Sequence, residues 1–132
     1  MSTLDPPANA KELSKFWTWM GRDGICRTKT KPLAEINVEE AIENSNAVNS
    51  FYTVRKFPLL VDARNIKYIT KEARKQFAIT GRETSITSFA LMVNSPLSRV
   101  IGNFFMGLNK PAVPARLFDN EDEAIQWLKK YI

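Results

Sequence analysis

Asp62 is the carboxylate best placed for general acid–base chemistry, because it closes the apolar run Pro58-Leu59-Leu60-Val61. Chains that alternate strands and helices gather functional groups at the C-terminal ends of such strands. Proton transfer also needs a partner group in reach. No second carboxylate is spaced one helical turn from Asp62, and the chain has no histidine. That removes the usual general base, the commonest transition-metal ligand and every Ser-His or Cys-His dyad. Cys26 is the single cysteine, which excludes an internal disulfide and a cysteine-based zinc site within one chain. There is no glycine-rich phosphate loop. The residue types therefore argue against an enzyme, and no catalytic residue, metal site or cofactor is assigned. Asp62 reads first as an acceptor for the backbone of the turn from Ala63 to Asn65.

Charge and apolar residues leave binding as the alternative to catalysis. The formal net charge is +5, but it is spread as singles and pairs and not as one block. This argues against nucleic acid as the partner. Trp17 and Trp19 share one face of a strand, the pattern of a core or dimer contact. Phe104, Phe105 and Trp127 could line a pocket for a small apolar molecule or lipid.

The elements that position these residues follow from composition and period. At 132 residues, 44% hydrophobic and 25% charged, the chain suits one core without disulfides. Residues 1–13 mix Pro6, Pro7 and charges and read as a flexible N-terminal arm before a domain over 14–132. That start does not resemble a signal peptide, and no apolar run approaches the about 20 residues needed to span a bilayer. A cytoplasmic location is expected. Phe16–Met20, the turn at Gly21–Gly24 and Ile25–Lys29 spell a β-hairpin, its second strand half-exposed, with Arg27 alternating with Cys26 and Thr28.

Asn37 with Glu40 opens a first helix carrying Val38, Ala41, Ile42 and Val48. Pro58–Val61 is a strand buried on both faces. Thr70 caps a short second helix from Lys71 to about Ile79. Ile86–Val93 is a further buried strand, and Ser95-Pro96 starts a third helix bearing Phe104 and Phe105. Ala115–Phe118 is a last strand, and Asn120 with Glu123 opens a final helix that includes Trp127. The order ββαβαβαβα implies a five-stranded, mostly parallel sheet in the order 1-2-3-4-5, with strand 1 antiparallel and the helices mainly on one face.

From about residue 15 to 130 this order, and several stretches within it, resemble STAS domains, the family of anti-sigma-factor antagonists and transporter tails. The most telling stretch runs from Leu60 through Asp62, Asn65 and Thr70 to Ala73, similar to the family's strand, connection and helix start. In that match Asp62 takes the place of the strand-end aspartate, and Thr70-Lys71-Glu72-Ala73 takes the place of an Asp-Ser-Ser-Gly-like tetrad. A second stretch, Gly102-Asn103-Phe104-Phe105 with Asn109-Lys110-Pro111 and Trp127-Leu128, resembles small bacterial STAS-like proteins of uncharacterised function.

The resemblance implies a non-enzymatic regulatory module that binds a protein partner around Asp62, Asn65, Thr70, Lys71, Glu72 and Arg74. Self-association through the hairpin edge is a further expectation. Regulatory members are phosphorylated on a serine of the tetrad, whereas here Lys71 and Glu72 occupy the serine positions. The phospho-switch therefore does not carry over. The alternative is a domain that binds a small molecule or lipid in an apolar pocket between the third and fourth helices and the sheet.

Overall fold

The structure, a computed structural model, describes residues 2–76, 85–96, 99 and 113–132. Residues of high strand propensity, aromatic in β2 (Phe16–Met20) and threonine-rich in β3 (Cys26–Thr30), form the hairpin, and largely apolar runs form β5 (Phe57–Asp62) and β7 (Ile86–Met92). With β8 (Ala115–Phe118) these are the five expected strands, standing side by side in the expected order. Only β2 runs antiparallel to its β3 neighbour; β3, β5, β7 and β8 are mutually parallel.

Two features extend that plan. A short strand, β1 (Lys11–Glu12), pairs antiparallel with Trp17 and Thr18 and makes the sheet six-stranded. It occupies the hairpin edge offered above for self-association and presents two charged residues, a common device for blunting an edge. A separate parallel pair joins β4 (Ala34–Ile36) to β6 (Ile66–Ile69).

The helices divide between the two faces of the sheet. Helix α1 (Val38–Asn49) starts where the Asn37 backbone N–H donates to the Glu40 carboxylate, at 3.0 Å. Helix α2 starts at Lys71 and is described to residue 76. Ala41 and Val48 of α1 and Ala73 of α2 join Cys26, Phe57 and Leu91 in one core. Helix α3 (Glu121–Lys129), whose Glu123 N–H donates to the Asn120 side chain at 3.0 Å, covers the other face with Ala124, Ile125 and Leu128. Alternation along β5 and β7 dictates this division, because Leu60, Ala90 and Met92 point away from α1 and need their own cover. Leu60 and Met92 each contribute about 1.5–3 kcal/mol when taken fully from water.

Within the N-terminal arm, expected to be flexible, residues 2–4 make contacts with the rest of the domain. Leu4 is fully buried in the α3-side core beside Ile25 and Leu128. The Ser2 hydroxyl and the Thr3 N–H and hydroxyl donate to the Glu121 carboxylate at 2.7–2.9 Å. The expected half-exposure of β3 is also corrected, since Arg27 is buried there. Its guanidinium donates to both Asp23 carboxylate oxygens at 2.7 and 2.9 Å and to the Thr3 hydroxyl at 3.1 Å. A Cβ at Gly21 would collide with that guanidinium and come within 2.8 Å of the Ile25 backbone carbonyl, so glycine is required at this point of the turn.

Candidate protein-interaction site

Asp62 ends β5 between Lys29 of β3 and Met92 of β7 and is only 1% exposed. Its carboxylate accepts the Arg64 backbone N–H at 3.1 Å and a two-pronged pair from the Arg64 guanidinium, both bonds 2.9 Å. The hydrogen bond to Asp62 raises the Arg64 pKa, against partial burial that favours the neutral form. Asp62, expected on the partner-binding surface, is thus buried and clamps the turn after β5. The turn reading, the blander of the two, describes its geometry.

The remaining predicted residues flank β6. Asn65 is exposed, and its carbonyl accepts the Leu33 N–H at 2.9 Å. Thr70 follows β6; its N–H donates to the Ile36 carbonyl at 3.0 Å, and its hydroxyl accepts the Ala73 N–H at 3.1 Å. That hydroxyl is engaged as a helix cap. Lys71 and Glu72 come next, both exposed, and the half-buried Arg74 donates to the Ile69 carbonyl at 3.2 Å. The residues from Thr70 to Arg74 are thereby brought together, whereas Asn65 stands at the far end of β6, about 16 Å of strand away. Lys67 and Tyr68, exposed on β6, span the interval.

The sequence reading missed two apolar residues of this surface. Leu33 is 75% exposed and Tyr68 54%. Leu33 also has a φ of 57°, a left-handed backbone that a leucine adopts at a cost of about 1–2 kcal/mol. Pro32 before it marks a turn, but no glycine or asparagine signals the left-handed position.

Residues 18–132 match the family model described as a domain of unknown function, DUF7793. The chain belongs to that family. Among solved structures, this DUF7793 chain is similar to an anti-sigma factor antagonist from Mycobacterium paratuberculosis, at 18% identity and a TM-score of 0.62 over 86% of this chain and 92% of the other. It is also similar to an uncharacterised DUF3478 protein with a SpoIIAA-like fold from Shewanella loihica PV-4, at 13% identity and a TM-score of 0.58, covering 86% and 91%. The anti-sigma factor antagonist SpoIIAA in its unphosphorylated form aligns at 16% identity with a TM-score of 0.52, covering 86% and 97%. No curated protein sequence matches the chain. The shared architecture is the SpoIIAA-like, STAS-type fold.

Of the residues of the DUF7793 chain named for a ligand pocket, Trp127 alone is among the described residues. Phe104 and Phe105 lie outside the described residues. Trp127 packs on the α3 face against Phe118 and Tyr131, with ring centroids 5.7 and 5.1 Å apart. An apolar cavity of about 90 Å³ lies instead on the α1 side, lined by Ile36, Val48, Leu59, Val61 and Leu91 among others. No helix among the described residues is long and apolar enough to cross a membrane.

Proposed function

We propose that this domain is a non-catalytic protein-interaction module that engages a partner through the surface running from Asn65 along β6 to Thr70, Lys71, Glu72 and Arg74. One observation carries the reading: at the place that resembles the STAS tetrad, the single hydroxyl is bonded to the Ala73 N–H while Lys71 and Glu72 stand exposed beside it. Such a surface recognises by fixed charge and needs no covalent mark. The likeness to a protein named as an anti-sigma factor antagonist supports a partner that is itself a protein.

Affinity capture from the protein's own host tests the reading. The wild type is compared with a Lys71→Ala/Glu72→Ala double variant and with Lys129→Ala, an exposed change on α3. The expected result is a stoichiometric partner retained by the wild type and the α3 variant and lost from the double variant. Equal retention by all three would refute this placement.

The α1-side cavity is a different place from the pocket expected between the third and fourth helices, and it offers a small apolar ligand little room. At about 90 Å³ it is below the ~150 Å³ of an apolar cavity known to admit benzene, and far below the ~300 Å³ of a typical ligand site. A short alkyl group would fit, and a lipid chain would not. Native mass spectrometry of the gently purified protein would reveal such a ligand as retained mass.

A further inference from the structure

Leu33 combines a strained backbone with an exposed apolar side chain. Its conformation is held from both sides, by the Leu33 N–H on the Asn65 carbonyl at 2.9 Å and by the Ala34 N–H on the Lys31 carbonyl at 3.2 Å. The next residue, Ala34, stands opposite Ile66, and Glu35 stands opposite Tyr68. Leu33 before β4 and Tyr68 on β6 therefore lie close along the β4–β6 ribbon, with Lys71 at the start of α2 just beyond it. The charge of the ribbon and the helix start beside it leans positive: the acids Glu35 and Glu72 stand among Lys67, Lys71, Arg74 and Lys75.

We infer that the β4–β6 ribbon is the recognition element of the domain, with Leu33 a pre-set apolar knob and Tyr68 its flanking anchor. The occupant is a partner protein that offers an apolar pocket rimmed by carboxylates. This rests on the protein-interaction reading above and adds to it the partner's chemistry and the anchoring residues. A leucine held in a left-handed turn has its backbone fixed before contact, so docking loses little backbone entropy at that residue. The basic residues around it complement acids and repel a second basic surface.

The test places the photo-cross-linker p-benzoylphenylalanine at Tyr68, and at the similarly exposed Tyr52 as control, in cells of the protein's own host. Two changes are then added to the Tyr68 probe, Leu33→Gly and Lys67→Glu/Lys71→Glu. Glycine suits a φ of 57°, so Leu33→Gly removes the knob while leaving a fold at least as stable as the wild type, which thermal unfolding verifies. The expected result is one discrete adduct at Tyr68 that is absent at Tyr52. It falls at least about tenfold with either change, as for a central anchor, and its cross-linked peptide carries acidic residues around apolar ones. No adduct at Tyr68, or one indifferent to Leu33→Gly or to charge reversal, overturns the inference. If capture by the Lys71/Glu72 surface persists while Leu33→Gly changes nothing, the ribbon assignment falls and the interaction reading stands. If no partner is captured at all, both fall.

Discussion

Replacing Asp62 by alanine removes three contacts at once, the two prongs to the Arg64 guanidinium and the acceptor for the Arg64 backbone N–H. Breaking a buried ion pair from one side costs about 3–5 kcal/mol when the surviving charge stays buried. Here the survivor, Arg64, is 30% exposed and turns to water, which reduces that figure, while the orphaned backbone N–H adds about 1–3 kcal/mol. The expected loss is about 3 kcal/mol for Asp62→Ala. Asparagine keeps an oxygen for the backbone N–H and forfeits the charge, so Asp62→Asn should lose about 1–2 kcal/mol. Urea unfolding followed by circular dichroism measures both, at unchanged m-value. Capture of the partner by folded Asp62→Asn protein should match the wild type, because Asp62 is not on the surface. Equal stability of the two variants would refute the division between pair and turn, and loss of capture by folded Asp62→Asn would refute its confinement to structure.

Leu4→Ala should destabilise by at most about 3 kcal/mol, the low end for a buried leucine, because the arm can detach and cap the loss; urea unfolding reads it. Thr70→Ala should cost about 1 kcal/mol through the lost cap on the Ala73 N–H, and Thr70→Ser should restore most of it in the same assay. Burial opposes ionisation of Glu121, but the donors on Ser2 and Thr3 outweigh it and hold the carboxyl below its ordinary value of 4.5. A depressed carboxyl pKa adds stability above the unfolded value, and that stability is lost as pH falls through the folded one. Thermal unfolding between pH 6 and about pH 3 should therefore fall more steeply for the wild type than for Glu121→Gln. Burial pushes the Cys26 thiol up to about 12, against the Thr18 hydrogen bond and the Arg27 charge, so native protein should resist a thiol-alkylating reagent at pH 8 and react once unfolded in urea.

What the sequence made legible was local. The caps at Asn37 and Asn120 rest on side chains within three residues of their partners, and both helices begin where those caps place them. The run Pro58–Val61 announced a strand covered on both faces, and its two-sided burial then forces α3 to the side opposite α1. Strands β4 and β6 escaped notice because each is only three or four residues long and each owes its form to the other, some 30 residues away. Arg27 was unreadable for the same reason. An arginine alternating with apolar residues reads as exposed, and its burial depends on Asp23 and on Thr3 from the distant arm. At the candidate site, Thr70, Lys71 and Glu72 could be placed from the helix start, but Leu33 could not, since neither its residue type nor its neighbours announce a left-handed turn.

The arm and α3 also impose an order on how the protein can be made. Leu4 shares its core with Leu128, and Ser2 reaches Glu121, 119 positions further on. During synthesis the α1-side core can gather as β2, β3, β5 and β7 emerge, but the α3-side socket for Leu4 does not exist until the last helix has left the ribosome. Throughout translation the arm and the far face of the sheet, with Leu60, Ala90 and Met92, lack that cover. The nascent chain therefore carries one open apolar face until α3 emerges, and over that interval the face is open to aggregation and to chaperones.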